Sequence, residues 1–309
     1  MGRHLVRQLS DRYLVTATGR EHDIRDSDTI LDLVSQSLPE VVVNLAAITT
    51  VRGSVERPRE TYDIGFYGLY NLLTALRSCN FTGRFLQVSS SEVYGFPSSD
   101  ELPLKETAPF RPMSPYSVAK AAGEVLCHQW AQDGSFKVFI ARPFTHIGPG
   151  QSCRFSVARF ARLIAEIMTA RRNPIVEVGN LRATRDLTDV RDVVRAYVLI
   201  LHEGRHGATY NICSGREVIM RDVLQDLIHL SGKDIKVAEN LVLVRESEQQ
   251  RLCGSHATLT AATGWMPEIP LADTLRDVLT FALQEAGHSV AGDALRGTQR
   301  QSLIMTGYL

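Results

Sequence analysis

Residues 85–95 read Phe85-Leu-Gln-Val-Ser-Ser-Ser-Glu-Val-Tyr-Gly95, an apolar run that stops abruptly at three hydroxyls and a carboxylate. The apolar part has the length of a buried strand. In open parallel sheets, ligands bind in the crevice at the carboxyl ends of the strands. The polar groups therefore predict a ligand site directly after this strand, in a parallel α/β sheet.

The rest of the chain alternates short apolar runs with longer helical patterns, which is typical of parallel strands covered by helices on both faces. This order predicts an α/β fold with a doubly wound, Rossmann-like parallel sheet. Strands are predicted at 13–17, 41–45, 84–88, 137–141 and 209–212. Helices are predicted at 29–37, 59–78, 115–132, 156–170, 190–202, 220–231 and 271–286.

Three regions follow from this pattern. Residues 1–150 are expected to form a dinucleotide-binding domain. In 151–287 the strands thin out, which favours a smaller substrate-binding lobe with some segments returning to the first domain. The last region, 288–309, loses helical periodicity and is interpreted as an appended, disordered tail.

Tyr116 and Lys120 lie four residues apart in Ser114-Pro-Tyr-Ser-Val-Ala-Lys120. Ser114 can cap a helix there and Pro115 suits its first turn, so the phenol and the ammonium share one helix face. An adjacent ammonium would bring the phenol's pKa, ordinarily ~10, closer to working pH. With Ser90, the pair predicts a catalytic constellation, although a Tyr-x-x-x-Lys match alone also arises by chance.

Composition limits the possible partners. Lys+Arg and Asp+Glu both number 34, so no net field attracts nucleic acid or an anionic membrane. The five cysteines are an odd number without a Cys-x-x-Cys spacing, which fits neither a disulfide framework nor a metal site. No apolar run reaches the ~20 residues of a membrane span, and the first residues lack a signal peptide's apolar core. We therefore expect a cytoplasmic protein.

Several segments stand in the order found in the extended short-chain dehydrogenase/reductase family of nucleotide-sugar epimerases, dehydratases and reductases, which the chain resembles over nearly its whole length. They are Val43-Asn-Leu-Ala-Ala47, Ser89-Ser-Ser-Glu-Val-Tyr-Gly95, Ser114-Pro-Tyr-Ser-Val-Ala-Lys120, Ala141-Arg-Pro-Phe-Thr-His-Ile-Gly-Pro-Gly-Gln151, Gly179-Asn-Leu181 and Arg185-Asp-Leu-Thr-Asp-Val190.

Within that family the chain is most similar to enzymes that reduce a GDP-4-keto-6-deoxyhexose. The resemblance implies NAD(P)H-dependent reduction of the 4-keto group to GDP-D-rhamnose, with a GDP-sugar as substrate. Two alternatives stay open. One is a GDP-mannose 4,6-dehydratase, and the other is a catalytically lapsed homologue that acts as a binding protein.

The chain opens at Gly2-Arg-His-Leu-Val-Arg-Gln-Leu9, which resembles the first helix of a dinucleotide-binding fold, with Gly2 in the place of the family's third glycine. A strand and a Gly-rich turn normally precede that helix. We therefore expect a sheet that lacks its first, central strand. Each lost ladder hydrogen bond is worth ~0.5–1.5 kcal/mol, so weak cofactor binding and low stability are predicted unless the natural chain starts further upstream.

Arg20 follows the second strand of the family's order, where an Arg can meet the 2′-phosphate of NADP. This favours NADP (NADPH) as cofactor, with NAD possible, although a solvated loop Arg would look the same. By resemblance, the cofactor-binding residues are Gly2, Arg20, Asp23, Ile24, Leu45, Ala46, Ala47, Tyr116 and Lys120.

Reduction of a ketone places negative charge on its oxygen, which needs a proton or strong hydrogen-bond donors. The resemblance implies that Tyr116 gives the proton, that Lys120 depresses the phenol's pKa and bonds the nicotinamide ribose, and that Ser90 donates to the same oxygen. Ser90 is preferred to its neighbours because the family's catalytic hydroxyl lies four residues before the position of Tyr94. Strand alternation would direct Ser89 and Ser91 elsewhere.

The resemblance also implies a set of substrate-binding residues. Glu92 does not separate the two enzymes, because dehydratases and similar reductases both carry a Glu there. Thr145 and Gly65 stand where the family usually has Asn, and these departures keep the lapsed homologue open. The implied substrate-binding residues are Ser91, Glu92, Thr145, Asn180, Arg185, Arg245 and Glu248.

The helices predicted at 59–78 and 115–132 carry apolar residues at helical spacing. In the family the matching helices pair across a two-fold axis, so the resemblance implies a homodimer. Helices buried within one chain's own core would show the same periodicity. The apolar positions are Ile64, Tyr67, Leu72, Leu76, Val118, Ala122, Val125 and Trp130.

Overall fold

The computed structural model describes residues 1–19, 21–240, 249–288 and 302–306. Its strands are β1 Leu14–Thr18, β2 Val41–Asn44, β3 Arg84–Val88, β4 Lys137–Pro143, β5 Thr145–Ile147, β6 Ile175–Val178, β7 Thr184–Asp189, β8 Thr209–Ile212, β9 Glu217–Ile219, β10 Lys236–Glu239 and β11 Ser302–Thr306.

Helices alternate with these strands as the sequence predicts. They are α1 Gly2–Leu9, α2 Ser27–Ser37, α3 Val51–Glu56, α4 Pro58–Tyr62, α5 Gly68–Ser78, α6 Pro115–Asp133, α7 Ser156–Met168, α8 Val190–Glu203, α9 Met220–Ser231, α10 Ala257–Thr263 and α11 Leu271–His288. A π-helical turn, Asp63–Tyr67, joins α4 to α5, and Ser91–Tyr94 and Ser99–Glu101 are 3-10 turns.

The main sheet has the strand order β1-β11-β2-β3-β4-β8. β2, β3, β4 and β8 pair in parallel. β11 runs antiparallel to both of its neighbours, so β1 and β2 point the same way. The carboxyl ends of the other five strands therefore share one edge. The predicted Rossmann-like parallel sheet is confirmed.

The C-terminal region departs from the sequence prediction. The tail 288–309 is predicted to be disordered, yet Ser302–Thr306 forms β11 inside the sheet. This strand occupies the central position between β1 and β2, where the sequence predicts a missing strand. It pairs over five positions with β1 and over three with β2. The prediction of disorder is wrong for these residues, because pairing along two strand edges stabilises a segment too short for a periodicity signal.

Apolar side chains pack against both faces of the main sheet. One cluster lies between the sheet and the helices α1 and α8, and includes Leu5, Tyr197 and Trp265. The opposite cluster lies under α2, α5 and α6 and includes Phe85 and Trp130. The sheet is therefore covered on both sides, which fixes the direction in which its carboxyl edge faces.

A second group of elements forms a smaller core of its own. α7, α9 and α11 pack together, with β6 and β10 beside them. β5, β7 and β9 form a separate three-stranded sheet. β8 belongs to the main sheet although it lies beyond residue 150.

The helix predicted at 59–78 is one continuous rod of three parts, α4, the π-helical turn and α5. Gly65 and Gly68 lie in or beside this turn and are both buried. A Cβ on Gly68 would lie 2.5 Å from Ile24, and one on Gly65 would lie 2.9 Å from the Cβ of Ala119. The glycines thus permit close contact on two sides of the rod, which periodicity alone does not predict.

Candidate active site

Ser90 and Tyr116 meet at the carboxyl edge of the sheet. Ser90 follows β3 directly and lies beside Tyr116, in the first turn of α6, close enough for its side chain to act on the phenol's pKa. The Ser114 hydroxyl accepts from the Ser117 amide at 3.2 Å, and the Ser117 hydroxyl accepts from the Ser114 amide at 2.9 Å. This capping box fixes the start of the helix, as the sequence predicts for Ser114.

Lys120 lies one turn further along α6 and is buried. Its Nζ donates to the carbonyl of Val88 at 2.6 Å and lies 5.9 Å from the centre of the Tyr116 ring. Burial lowers the pKa of Lys120 to about 8. The structure therefore brings Ser90, Tyr116 and Lys120 into one cluster.

The predicted pKa of the Tyr116 phenol needs correction. Burial raises the pKa of Tyr116 to about 12, although the neighbouring Ser90 side chain works in the opposite direction. The charge of Glu92 raises it further. The lowering expected from Lys120 is wrong here, because loss of solvation on burial dominates the pKa of Tyr116.

The residues beside Ser90 point in different directions. Ser89 is buried and donates its hydroxyl to Glu124, as expected for a residue on the other side of the strand end. Ser91 and Glu92 begin the 3-10 turn, and the Glu92 amide donates to the Ser90 hydroxyl at 3.2 Å. Glu92 lies close enough for its charge to act on Tyr116. The predicted substrate residues Ser91 and Glu92 thus border the cluster.

The predicted cofactor residues lie after β1 and β2. Ala46 and Ala47 are buried at the end of β2, Leu45 is partly buried, and the Ala46 amide donates to the Asn44 side chain at 3.0 Å. These small side chains on the edge that carries Ser90 fit a flat cofactor such as a dinucleotide. Gly2 is the first residue of α1, as predicted.

Asp23 and Ile24 have partners within the chain. Asp23 pairs with Arg25 at 2.5 Å, and Ile24 is buried against Gly68. The Asn71 side chain donates through Nδ2 to the Ile24 carbonyl at 3.2 Å. This loop is therefore held against α5. Arg20 lies outside the described residues.

Of the predicted substrate residues beyond residue 140, Thr145 and Arg185 lie in the three-stranded sheet and Asn180 lies in the connection between β6 and β7. Thr145 starts β5, and the Asn180 side chain accepts from the Arg182 amide at 2.9 Å. Arg185 donates to the carbonyl oxygens of Thr184 and Gln249, at 2.7 and 2.8 Å. Arg245 and Glu248 lie outside the described residues, so their roles stay predictions.

Sequence reasoning missed a buried ion pair beneath the cluster. Arg142, in β4, binds both carboxylate oxygens of Glu124, with a closest distance of 2.7 Å. Arg142 also donates to the Tyr94 hydroxyl at 2.8 Å. The only sequence signal was a charge inside an otherwise apolar strand. Within the described residues, no group of three or more metal-ligating side chains occurs, and no helix has the length and apolarity needed to cross a membrane.

A doubly wound sheet with a serine, a tyrosine and a lysine clustered at its carboxyl edge is the arrangement of the short-chain dehydrogenases/reductases, whose members use nicotinamide cofactors. The sequence model of the family described as GDP-mannose 4,6 dehydratase matches residues 4–278. The chain belongs to this family, which consists of NAD(P)-dependent enzymes of nucleotide sugars.

Known relatives agree with this assignment. The GDP-6-deoxy-D-mannose reductase of Pseudomonas aeruginosa is 38% identical over 283 residues, which cover 91% of this chain and 93% of that protein. The solved structure of RMD from Pseudomonas aeruginosa complexed with NADPH superimposes with a TM-score of 0.87 and 37% identity, over 92% of this chain and 95% of that one. The UDP-glucose 4-epimerase of Thermus thermophilus in complex with NAD has a TM-score of 0.78 and 26% identity, over 91% and 95% of the two chains.

Proposed function

We propose that this protein uses NADPH to reduce the 4-keto group of GDP-4-keto-6-deoxy-D-mannose, with GDP-D-rhamnose as the product. The observation that carries the proposal is the cluster of Ser90, Tyr116 and Lys120, in a chain 38% identical to a GDP-6-deoxy-D-mannose reductase. NADPH is favoured because the similar structure from Pseudomonas aeruginosa is complexed with it.

The cofactor would supply a hydride to C4 of the sugar when bound. Negative charge then develops on the ketone oxygen and needs a proton. Because the pKa of Tyr116 is raised to about 12, its phenol is protonated near neutral pH and can donate. Ser90, which lies beside Tyr116, would donate to the same oxygen. We propose that Lys120 bonds the nicotinamide ribose beside the phenol.

The remaining predicted residues are assigned by their positions. We propose that Gly2, Leu45, Ala46 and Ala47 line the cofactor, because they lie at α1 and at the end of β2. Asp23 and Ile24 would meet its adenine end. Ser91, Glu92, Thr145, Asn180 and Arg185 would contact the GDP-sugar, with Arg185 suited to its pyrophosphate.

A second candidate is GDP-mannose 4,6-dehydratase activity. Water elimination needs a carboxyl group as acid or base beside the sugar, and the charge of Glu92 acts directly on Tyr116. The matched family also takes its name from this activity. Glu92 is therefore the residue on which the alternative depends.

The decisive experiment incubates the purified protein with NADPH and GDP-4-keto-6-deoxy-D-mannose, and in parallel with GDP-mannose. Oxidation of NADPH with consumption of the keto sugar supports the reductase. Conversion of GDP-mannose supports the dehydratase, and we expect Glu92→Gln to abolish it. A folded protein that binds NADPH but turns over neither sugar is the lapsed homologue.

Tyr116→Phe tests the proposed acid. It removes only the hydroxyl, so we expect turnover to fall by ~10²–10⁴-fold, the usual contribution of general acid catalysis. NADPH affinity should stay within a few fold of the parent. Turnover equal to that of the parent would eliminate Tyr116 as the proton donor.

We also propose a homodimer through α5 and α6. Of the predicted positions, Ile64, Leu72, Leu76 and Trp130 are buried in this chain's own core. Tyr67, Val118 and Val125 remain exposed, with Val125 at 59%. Adjacent exposed apolar side chains of this kind mark an interaction surface.

Sedimentation of Val125→Glu tests the dimer, with Met266→Glu, an exposed residue elsewhere, as the matched control. We expect only Val125→Glu to yield monomers, and a parent protein that sediments as a monomer would contradict the proposal. A cytoplasmic location is proposed as well, because all five cysteines are free.

A further inference from the structure

Three successive residues at the end of β3 each lie beside α6. The Val88 carbonyl accepts from Lys120, the Ser89 hydroxyl donates to Glu124, and Ser90 lies close enough to Tyr116 to act on the phenol. The helical partners lie four residues apart, on one face of α6. These contacts hold the end of β3, which carries the Ser90 hydroxyl, against α6, which carries Tyr116.

Of the three helical partners, Glu124, which binds Ser89, is the most deeply buried. The side chains of Glu124 and Arg142 are 0% and 5% exposed. Arg142 contacts Glu124 through Nε at 2.9 and 3.0 Å and through Nη2 at 2.7 Å. Two parallel N–H bonds to one carboxylate fix both position and angle, so Glu124 holds the Ser89 hydroxyl in one direction.

Arg142 extends the network to the other end of the Ser90 segment. Its Nη1 donates to the Tyr94 hydroxyl at 2.8 Å and to the Glu106 carbonyl at 2.9 Å. The Tyr94 hydroxyl in turn donates to the Asn211 side chain at 2.6 Å. The segment from Ser89 to Tyr94, which includes Glu92, is therefore bound at both ends by one ion pair.

Stability alone does not account for this pair. Burying two charges is expensive, and well-packed apolar residues of similar volume are often at least as stabilising. A directional role explains the geometry better, because both polar ends of the pair contact residues that flank Ser90.

We propose that Glu124 and Arg142 are positioning residues, which act through Ser89 and Tyr94 to hold the Ser90 hydroxyl beside Tyr116. The effect on turnover rests on the proposed reductase function. The effect on the distance between the Ser90 and Tyr116 hydroxyls does not depend on that function.

Ser89→Ala is the sharpest test. Glu124→Gln would leave the buried Arg142 cation without its counter-charge and could prevent folding, whereas Ser89→Ala removes one hydroxyl. Ser231→Ala is the matched control, because Ser231 is a buried serine whose hydroxyl donates to the Ile228 carbonyl at 2.6 Å in the smaller lobe.

We expect Ser89→Ala to lower kcat by about 10-fold to 100-fold, the effect of a small displacement of a catalytic group. KM for the keto sugar and the Kd of NADPH should change by less than about three-fold, and Ser231→Ala should keep the kcat of the parent. A merely structural role would affect the two serine variants alike.

Crystal structures of the parent and of Ser89→Ala supply a readout that needs no substrate. We expect the Ser90 and Tyr116 hydroxyls to lie further apart in the variant than in the parent. If the parent lacks turnover, the proposed function fails while this readout still decides the positioning role. An unchanged distance between the Ser90 and Tyr116 hydroxyls together with a kcat equal to that of Ser231→Ala would overturn the proposal.

Discussion

Gly65→Ala is the substitution for which packing and helix propensity predict opposite signs. The added Cβ would lie 2.9 Å from the Cβ of Ala119. Carbon atoms pack at ~3.5–4.0 Å, so the π-helical turn and α6 must separate by at least about 0.6 Å. An added methyl in a packed core costs ~1–3 kcal/mol, whereas Gly→Ala in a helix gains ~0.5–1 kcal/mol. We therefore expect the free energy of unfolding to fall by up to about 2 kcal/mol.

Urea unfolding of Gly65→Ala, Ala119→Gly and the double variant measures this effect. Ala119→Gly removes the methyl that would clash, so the double variant should recover about 1–3 kcal/mol relative to the sum of the single changes. Gly287→Ala is the control, because the new Cβ there meets nothing within 4 Å. If Gly65→Ala stabilises as Gly287→Ala does, and the coupling is zero, the close contact between the two helices is refuted.

Three further predictions concern titration, a buried carboxylate and the C-terminal strand. Burial lowers the pKa of Lys120 from 10.5 to about 8, so the folded state binds that proton less tightly than the unfolded state does. Lys120 therefore makes the free energy of unfolding of the parent rise as pH rises from about 8 to about 10. In urea unfolding, the Lys120→Met variant should show a rise over this pH range that is smaller by up to about 3 kcal/mol. Asp186 accepts the Ser214 amide and hydroxyl on one oxygen at 2.6 and 2.7 Å, and two glycine amides on the other at 3.0 and 3.1 Å. Asp186→Asn places an NH₂ group against two of these N–H or O–H donors, so we expect the free energy of unfolding to fall by about 2–6 kcal/mol. An unchanged urea midpoint would contradict these hydrogen bonds. Ile304→Pro removes a backbone donor from the middle of β11, and the midpoint of thermal unfolding, followed by circular dichroism, should drop by at least about 5 °C; no drop would show that β11 contributes nothing to the sheet.

Regular elements were predictable where one pattern dominated. β3, β8 and α9 have the predicted bounds of 84–88, 209–212 and 220–231, because a continuous apolar run or an amphipathic stripe defines each of them. The rod at 59–78 was predicted as a single regular helix. Its π-helical turn could not be predicted, because it depends on contact with α6, which lies far away in sequence.

The residues of the candidate site also fall into those that the sequence could predict and those that it could not. The strand end and the helix start that carry Ser90, Tyr116 and Lys120 were local signals, but the choice of Ser90 among three serines, and the roles of all three residues, came from the family resemblance. The Glu124–Arg142 pair was not predictable, because a Glu within a helical pattern is usually a solvated residue. Its burial becomes evident only when the ends of β3 and β4 are brought beside α6.

The C-terminal strand shows why a central strand can escape sequence analysis. Its place in the sheet is determined by the exposed backbone edges of β1 and β2, which require partners whatever the side chains of the added segment are. Strand addition of this kind depends mainly on main-chain hydrogen bonds. An antiparallel strand also needs no crossover helix, so it can come from a distant part of the chain. Patterns that identify strands by their neighbours in sequence therefore give no indication that residues 302–306 lie between residues 14–18 and 41–44.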